Sequence, residues 1–383
     1  MDYRKIYTIV ASFTVMLTVA ISSGIRGLLV PNFMQFFDVS SYQIGMLFSI
    51  TTAVSVIGAF MTAPFCTKFG YKATILFGIA VNALGFYFTS KSTDFMMFTI
   101  GYCVISLGVT FALTSLNTVV TVIKVSFQAV LVNMIHFFFG LGITLSQKFG
   151  GDLVVFGYNW QDFFFSMSIL FIGAILILLF VQYPRVTING KSRGYKDIPN
   201  KKFIITICIA LGLYVSAELQ TGNWMINYLN QVYGYTEAHA GIFAAIFFGT
   251  FSIGRFLGGF IAEKLGYVRS VSVFLMLASV LFIIGLLMGE SGLLVLSCSG
   301  FFFSLIFPTA TLYLANLYPK HKASVISLLS TICNFLALVS SFLIGFLNDK
   351  IGTALSFWLI PICLILSAGL FIYTHKNPPS LVD

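Results

Sequence analysis

The sequence predicts an all-α membrane protein of twelve transmembrane helices, arranged as two pseudo-symmetric six-helix bundles. Three observations lead to this prediction. The 383 residues are 58% hydrophobic and only 9% charged, with a mean hydropathy of +0.98, and a soluble domain of this length has too little interior for so much apolar surface. Twelve apolar runs of spanning length follow one another between short polar loops. The second half of the chain also repeats the first at a fixed offset.

The apolar runs define the spans. Crossing a bilayer takes about 20 apolar residues in a helix. The first run is too long for the core of a cleaved signal peptide and lacks a small-residue cleavage site, so it counts as a span. The predicted spans are 6–30, 42–64, 72–90, 95–122, 128–149, 163–183, 203–229, 239–263, 268–288, 292–318, 322–348 and 353–374.

The distribution of basic residues predicts how the chain crosses the membrane. Of the 21 lysines and arginines, 16 fall in loops on one side, 3 fall on the other, and 2 lie within spans. Cytoplasmic loops carry the excess of lysine and arginine. Both termini are therefore expected in the cytoplasm, with the protein in the inner cell membrane of a bacterium.

The longest loop predicts where the chain divides. Residues 184–202 are basic and poor in apolar side chains, as expected of a cytoplasmic linker. The prediction is an N-terminal bundle at 1–183 and a C-terminal bundle at 203–383.

An internal repeat supports this division. Ser40 with Gln43 fits a capping box that opens the second span, and Thr236 is the corresponding cap of the eighth span. Parallel repeats of this kind place the substrate pathway between the two halves. A shift of 196 residues aligns 40–45 with 236–241, Gly58 with Gly254, and 68–71 with 264–267.

Several classes of protein are excluded by what the sequence lacks. The basic residues are spread among loops, so no nucleic-acid partner is expected. The six cysteines show no CxxC spacing, and no phosphate-binding loop or zinc spacing occurs, so we expect no metal, no cofactor and no ATP-driven pumping. A nucleophile with a base is also missing, so no enzyme activity and no catalytic residue are predicted. The expected partners are a small-molecule substrate, protons and lipid, acting on a monomer.

The seventh span is rich in polar side chains for a segment inside a membrane. Positions i, i+4, i+7 and i+11 of a helix form one stripe, and amide groups in such a stripe suit a solute that needs hydrogen bonds. Trp224 lies on the same side and offers an aromatic face to a sugar ring. We predict that this face is a wall of the substrate pathway, formed by Ser216, Gln220, Asn223 and Asn227.

Glu218 is the one acidic residue of the sequence near the middle of a predicted span, where a carboxylate is costly and rarely lacks a function or a partner. It points away from the polar stripe on a straight helix, so local unwinding at Thr221 and Gly222 is expected to turn it toward the pathway. Its expected role is proton coupling, by alternation between charged and neutral forms. The alternative is a structural ion pair with a base on a neighbouring helix.

Arg26, in the outer half of the first span, has three open interpretations. It binds an anionic solute, since the guanidinium fork suits a carboxylate or phosphate. It neutralises Glu218 across the pathway. Or it has a structural, snorkelling role.

Arg255 lies in the eighth span between Gly254 and Gly258, whose small size allows close helix packing. We interpret it as a gating or structural residue, together with Lys68 and Lys264 in the corresponding loops of the two halves.

Four further residues are candidates for the pathway. Asn133 and His136 lie three apart, on one face of the fifth span. They form an interhelical hydrogen-bond site or contact the substrate, and His136 is also a candidate proton carrier because histidine titrates near neutrality. Asn117 in the fourth span has the same two interpretations, and the family resemblance described below favours it as a substrate contact. Tyr313 in the tenth span offers an aromatic face to a sugar or an apolar solute.

Two loop segments carry a family resemblance. TKFGYKA at 67–73 and EKLGYVRS at 263–270 resemble the loop signature of the major facilitator superfamily, and the spans, basic central loop and half-repeat agree with the major facilitator fold. Within the superfamily the chain most resembles the fucose permease and related glucose and galactose proton symporters. The segments that carry this second resemblance are YVSAELQTGNWMINYL (214–229), IGRFLGGFI (253–261), FPTATLYLANL (307–317) and NTVVTVI (117–123).

The resemblance implies alternating access around a central site lined by the first, fourth, seventh and tenth spans. It also implies two carboxylates that this chain lacks. Gly27 stands at one of these positions, four residues before Pro31, and Leu113 stands at the other, four residues before Asn117. Proton coupling through those positions is not carried over, which leaves Glu218 as the candidate.

The leading hypothesis is a proton-coupled symporter that imports a sugar or a similar small polar solute. An organic-anion carrier is the alternative that Arg26 motivates, and an exporter of amphipathic compounds is the one that the aromatic content motivates. The glycine–proline pair typical of drug antiporters is absent from 137–151, which argues against export. A membrane receptor that binds a solute without moving it is the hypothesis from a different class.

Overall fold

The computed structural model describes residues 3–122, 128–183 and 199–376, and all secondary structure within them is helical. Of the predicted central linker, 184–202, residues 184–198 lie outside the described residues. The last residue of the motif at 117–123 lies outside them as well.

The first half of the chain provides one helix for each predicted span and a short continuation of the first. Predicted and observed ends differ by a few residues, because helices continue past the apolar core into the polar loops. The helices are α1 (Tyr3–Leu28), α2 (Val30–Phe37), α3 (Ser41–Phe69), α4 (Tyr71–Ser90), α5 (Phe95–Val122), α6 (Gln128–Val155) and α7 (Trp160–Leu179).

The second half follows the same plan with more interruptions. Eleven segments of the described chain are long and apolar enough to cross a membrane. With α6 at the fifth predicted span, the molecule is the twelve-helix bundle that the sequence predicts. The helices are α8 (Lys201–Tyr233), α9 (Glu237–Leu265), α10 (Tyr267–Leu287), α11 (Leu293–Cys298), α12 (Gly300–Phe303), α13 (Ile306–Leu317), α14 (Lys322–Ile351), α15 (Thr353–Ser356) and α16 (Leu359–Lys376).

The internal repeat is visible in the backbone at the ends of α3 and α9. Each helix stops at a glycine with φ of +83°, Gly70 in one case and Gly266, 196 positions later, in the other. A side chain would be strained at this φ, so glycine permits the abrupt start of the next helix. At the other ends, the Ser40 backbone N–H donates to Gln43 Oε1 at 2.9 Å, and Thr236 accepts from the His239 N–H at 3.3 Å. The predicted caps are therefore present in both halves.

The first span is interrupted at Leu29, between α1 and α2. Pro31 lies in the first turn of α2, where the missing N–H of proline costs no hydrogen bond. The short helix α2 contributes Phe33 to a buried aromatic cluster, in which the Phe33 ring lies 4.7 Å from Phe98 and 5.9 Å from Trp160.

The tenth span is divided into α11, α12 and α13, where the sequence predicts one helix. Pro308 cannot donate to the carbonyl of Ser304 and its ring crowds that turn, so the helix is interrupted at Ser304 and Leu305. The carbonyl of Phe303, just before the interruption, accepts a side-chain hydrogen bond from α8 instead.

The two halves meet closely at one end of the bundle, the end that carries the start of α3 and the finish of α14; we call it the closed end. A Cβ on Gly345 of α14 would lie 2.5 Å from the Ser41 carbonyl oxygen and 2.8 Å from the Gly45 Cα. A Cβ on Gly151 of α6 would lie 2.6 Å from the carbonyl oxygen of Glu237. Glycine at these crossings lets the backbones of opposite halves touch.

An acidic side chain reinforces the closed end. The Asp349 carboxylate of α14 accepts hydrogen bonds from the backbone N–H groups of Ser41, at 3.0 Å, and Tyr42, at 2.9 Å. These N–H groups open α3 and lack partners within their own helix. A carboxylate at this position is favoured both by the bonds and by the positive end of the helix dipole. Asp349 of one half is thus a cap for a helix of the other.

Candidate functional site

A cavity of about 250 Å³ lies between the two halves, beside the crossing of α1 and α8. At that crossing a side chain on Gly27 would collide with the carbonyl of Gly222. The carboxylate that the family resemblance implies at Gly27 therefore does not fit this conformation. The cavity wall is formed by Ser22, Ser23, Gly24 and Arg26 of α1, Ser55 of α3, Tyr102, Ile105, Ser106 and Val109 of α5, Phe139, Ile143 and Gln147 of α6, Glu218, Leu219, Gly222 and Asn223 of α8, and Phe248 of α9.

Arg26 reaches this cavity without a carboxylate partner among the described residues. Its guanidinium carbon lies 4.0 Å from the centre of the Phe48 ring, a favourable cation–π distance. Its Nε is buried and has no hydrogen-bond acceptor in the described part of the chain. The predicted neutralisation of Glu218 by Arg26 is not what this conformation contains, because another arginine occupies that position.

Glu218 forms its ion pair with Arg255 of α9. The Glu218 Oε1 atom lies 3.5 Å from Arg255 Nη2, and the guanidinium of Arg255 also lies 4.2 Å from the centre of the Phe251 ring. The second oxygen, Oε2, accepts from the Tyr214 hydroxyl at 2.6 Å, and the same hydroxyl lies 2.6 Å from the carbonyl oxygen of Phe303. Glu218 is therefore held by neighbours on α8 and α9 while it faces the cavity.

Three other groups on the wall have unused hydrogen-bonding capacity within the described structure. Gln147 donates its Nε2 to the carbonyl of Gly24 at 2.9 Å and keeps a buried Oε1 without a donor. The Tyr102 hydroxyl of α5 and the Asn223 amide of α8 line the cavity and make no side-chain hydrogen bond to another described residue. Together they present donors and acceptors to a bound solute.

The predicted polar stripe of α8 is divided between two surroundings. Asn223 lines the cavity, whereas Gln220 donates to the hydroxyls of Ser340 and Ser341 of α14, at 3.0 and 2.9 Å. Asn227 is fully buried away from the cavity. In this conformation Gln220 is therefore a contact between α8 and α14, and Asn223 is the member of the stripe that a solute can reach.

The expected unwinding at Thr221 and Gly222 is wrong. The helix α8 is continuous from Lys201 to Tyr233, and the Thr221 hydroxyl bonds to the Ala217 carbonyl as in an ordinary helix. Glu218 faces the pathway without any break in α8, because the cavity lies against the side of the helix that carries Glu218. Gln220 lies on a different side and does not line the cavity.

Most of the remaining predicted residues lie away from the cavity. The Trp224 indole is 1% exposed and packs edge-on against the Phe48 ring at 5.9 Å. Phe48 is also the ring that the Arg26 guanidinium contacts, so it lies between Trp224 and the solute. Tyr313 on α13 and Asn117, exposed near the end of α5, are not part of the wall. His136 lies on α6 within electrostatic range of Arg255. The side chain of Asn133 lies outside the described residues.

The two loop lysines occupy equivalent exposed positions, in keeping with the repeat. Lys68 ends α3 with its ammonium 5.1 Å from the centre of the Phe69 ring, and Lys264 is in the last turn of α9. Both are far along their helices from the closed end. Their predicted gating role concerns the opposite end of the bundle and stays a prediction.

The sequence missed several polar side chains of the wall. The resemblance placed the first and fourth spans at the site, and α1 and α5 do line it, but the contributions of Ser22, Ser23 and Tyr102, and of Gln147 on α6, were not predicted. Ser22 and Ser23 are tolerated within an apolar run because each hydroxyl donates to the Val19 carbonyl of its own helix, at 2.8 Å. Serines of this kind give no sign of a site in the sequence. The tenth span, which the resemblance places at the site, does not contribute to the wall. Tyr214 and Phe247 pack on Phe303, so side chains of α8 and α9 lie between that span and the cavity.

Two similar helical halves around a cavity that carries polar and charged side chains, closed against each other at one end, are the arrangement of a membrane transporter. The chain belongs to the Major Facilitator Superfamily, whose family model matches residues 11–334 and, in a second match, 203–382.

Relatives with assigned substrates are similar over much of their length. The L-fucose-proton symporter of Escherichia coli is 23% identical, over 93% of this chain and 90% of the relative. The glucose/galactose transporter of Brucella abortus is 25% identical, over 77% and 76%. The cis,cis-muconate transport protein of Acinetobacter baylyi is 22% identical, over 60% and 59%.

Solved structures share the fold. An inward-facing, unoccupied bacterial homologue of the human lysosomal transporter Spinster superposes with a TM-score of 0.82 at 14% identity, covering 98% of both chains. The superfamily transporter FucP in its outward conformation gives a TM-score of 0.69 at 18% identity, covering 98% of this chain and 100% of FucP. Together with the sequence relatives, they place the chain with the fucose permease-like transporters.

Proposed function

We propose that the chain moves a small polar solute across the membrane by proton-coupled alternating access, with the cavity as its binding site. The observation that carries the proposal is the cavity itself, which both halves line and which contacts between them seal at one end. Motion of one half against the other would open that end and expose the same site to the opposite side. The fucose–proton and glucose/galactose relatives support a solute of sugar size.

The proposed orientation follows the excess of basic residues. Both termini and the linker at 184–202 are placed in the cytoplasm of a bacterium, with bundles at 1–183 and 203–383. The closed end then faces outward, so in this proposal a solute reaches the cavity from the cytoplasmic side. Uptake requires the reverse step, in which the contacts of Gly345 and Asp349 with α3 separate.

Glu218 is the proposed proton-coupling residue. When it is ionised, its attraction to Arg255 favours the pair at 3.5 Å. When it takes up a proton, the ionic attraction is lost and Arg255 becomes free to interact elsewhere. Because Glu218 lines the cavity, the charge state of the site and its occupation by a solute are coupled through a shared surface.

Tyr214 connects this protonation to the interruption in the tenth span. Its hydroxyl has one proton but lies 2.6 Å from two acceptors, the Glu218 carboxylate and the Phe303 carbonyl. With Glu218 ionised, the Tyr214 proton bonds to the carboxylate. With Glu218 protonated, the carboxyl donates to the Tyr214 oxygen, and Tyr214 donates to Phe303. The state of Glu218 therefore changes a hydrogen bond on the neighbouring helix.

Transport in proteoliposomes tests the proposal. Protein reconstituted with an imposed pH gradient is assayed with radiolabelled L-fucose, D-galactose and D-glucuronate, first for accumulation and then for exchange without a gradient. We expect Glu218→Gln to abolish accumulation and retain exchange, because the amide cannot carry the proton. Glu290→Gln, an acid outside the cavity that bonds to Tyr235, is the control and should behave as wild type. Equal loss of accumulation and exchange in Glu218→Gln would contradict the coupling role, and binding without any flux would indicate a receptor.

A further inference from the structure

The base on the cavity wall lacks an acidic partner. The wall contains one acid, Glu218, and one base, Arg26. Glu218 pairs at 3.5 Å with Arg255, which is not part of the wall, so Arg26 has no carboxylate partner among the described residues. A guanidinium carries five N–H donors and loses its charge under no ordinary condition. The Phe48 ring, at 4.0 Å, makes a cation–π contact with the guanidinium but does not replace an oxygen acceptor for its N–H groups. A buried or partly buried cation without an anionic partner is costly.

The remaining polar groups of the wall match a hydroxylated solute. The free Oε1 of Gln147 accepts a hydrogen bond, the Asn223 amide both donates and accepts, and the Tyr102 hydroxyl does the same. The hydroxyls of Ser22 and Ser23 donate to the Val19 carbonyl, so their oxygens stay able to accept from a ligand. These groups surround a space of about 250 Å³, the size of a monosaccharide with a few waters.

We propose that the solute is a sugar acid, a monosaccharide-sized molecule with one carboxylate, which Arg26 binds, and several hydroxyls, which Gln147, Asn223 and Tyr102 bind. The proposal deepens the proposed function and rests on it for the location of the site. An anion supplies the charge that Arg26 lacks, and the guanidinium fork matches the two oxygens of a carboxylate. A neutral sugar would fill the same volume but leave Arg26 uncompensated.

Matched ligand pairs test this inference. D-Glucuronate with D-glucose, and D-galacturonate with D-galactose, differ only in the oxidation of one carbon. Binding to purified full-length protein is measured by calorimetry at low ionic strength. We expect each uronate to bind at least tenfold more tightly than its aldose, because it alone forms charge-assisted bonds with Arg26.

Variants locate the effect. Arg26→Gln should remove the preference for the uronate and bring both members of a pair to similar affinity. Arg26→Lys, which keeps the charge and loses the fork, should retain part of it. Lys148→Gln is the matched control: it also removes one positive charge from the first half, but Lys148 pairs with Asp152 at 2.6 Å outside the cavity, so the preference should persist. If Arg26→Gln does not fold, Arg26→Lys carries the test.

The outcomes separate this inference from the proposed function. Equal affinities for uronate and aldose, or a preference that survives in Arg26→Gln, would overturn the sugar-acid inference, and so would the absence of uronate binding. Exchange of aldoses in proteoliposomes would then still support a transporter. Conversely, a uronate that binds through Arg26 but is never exchanged would overturn the transport proposal and retain the ligand assignment.

Discussion

The carboxylate of Glu218 lies 3.5 Å from the guanidinium of Arg255, so an acid of α8 pairs with a base of the adjacent α9. Both residues belong to the second half of the chain. Movement of the halves against each other therefore leaves the pair intact, whereas a proton on Glu218 removes its ionic attraction. The two arginines within the spans therefore have different surroundings: Arg255 pairs with Glu218, whereas Arg26 lines the cavity.

The Glu218–Arg255 pair should appear as an energetic coupling. Each single variant, Glu218→Gln or Arg255→Gln, leaves a partly buried charge without its partner, and the double variant leaves none. We expect the thermal midpoint, Tm, of the double variant to exceed that of at least one single variant. The coupling should be about 0.5–3 kcal/mol. We expect a value toward the lower end, because the Arg255 and Glu218 side chains are still 15% and 20% exposed and solvent weakens their attraction.

A surface pair provides the control for this cycle. Lys148→Gln with Asp152→Asn breaks an ion pair whose side chains are 40% and 33% exposed, for which coupling of only about 0.3–0.5 kcal/mol is expected. Additive effects of the Glu218 and Arg255 variants on Tm would contradict the pairing. Rescue of an Arg26 variant by Glu218→Gln would show that Glu218 exchanges partners between Arg255 and Arg26.

The Asp349 cap should stabilise the closed end. Asp349→Asn keeps the shape but loses the negative charge that faces the N-terminus of α3, worth about 0.3–1 kcal/mol. A change of that size moves a two-state equilibrium up to about fivefold toward the open state. Spin labels at Tyr158 and Leu355, exposed residues near the closed end on opposite halves, measure the effect in a variant without native cysteines. The long-distance population should rise.

Asp38 gives the matched control for this measurement. It is an acid at the same end of the bundle, at the C-terminus of α2 with φ of 51°, a conformation that asparagine also tolerates. Asp38→Asn should leave the distance distribution unchanged. An unchanged distribution in Asp349→Asn would mean that the glycine crossings alone hold the end closed.

The Gly345 crossing should be intolerant of side chains. A Cβ there would lie 2.5 Å from the Ser41 carbonyl oxygen, which is backbone and cannot move aside without shifting α3. We expect Gly345→Val to prevent closure and abolish exchange while the protein still inserts and purifies. Gly369→Val is the control, because a Cβ at Gly369 of α16 meets nothing within 4 Å. Exchange at the wild-type rate in Gly345→Val would contradict the role of this crossing in the transport cycle.

The sequence predicted the fold well because the fold depends on two strong signals. The length of each apolar run defines a span, and the glycines at 70 and 266 mark the repeat through a φ that other residues avoid. The interruption of the tenth span had a signal as well, in Pro308, but proline inside an apolar run predicts a kink or a break without distinguishing them.

The site was predicted only in part, because a helical wheel does not say which face meets which neighbour. Glu218 and Asn223 line the cavity as expected, but Gln220, on the same predicted stripe as Asn223, meets two serines of α14. Those serines lie 120 and 121 residues away in sequence, and no periodicity within α8 reveals them. The partner of Glu218 was equally hidden, since two arginines within spans were available and only the packing of α9 against α8 selects Arg255.

Asn223 and Gln220 should therefore respond differently to the same substitution. Asn223 lines the cavity without another described hydrogen-bond partner, so Asn223→Ala should weaken solute binding by about 1 kcal/mol, roughly fivefold, with little change in Tm. Gln220 is 1% exposed and bonded to Ser340 and Ser341. Gln220→Ala should leave affinity within twofold and lower Tm, because the two hydroxyls lose their partner. Calorimetry with D-glucuronate and thermal unfolding of the same samples measure both quantities. A larger loss of affinity in Gln220→Ala than in Asn223→Ala would mean that α8 rotates its stripe toward the solute in the bound state, and that the cavity face assigned to Glu218 and Asn223 is not the face used in binding.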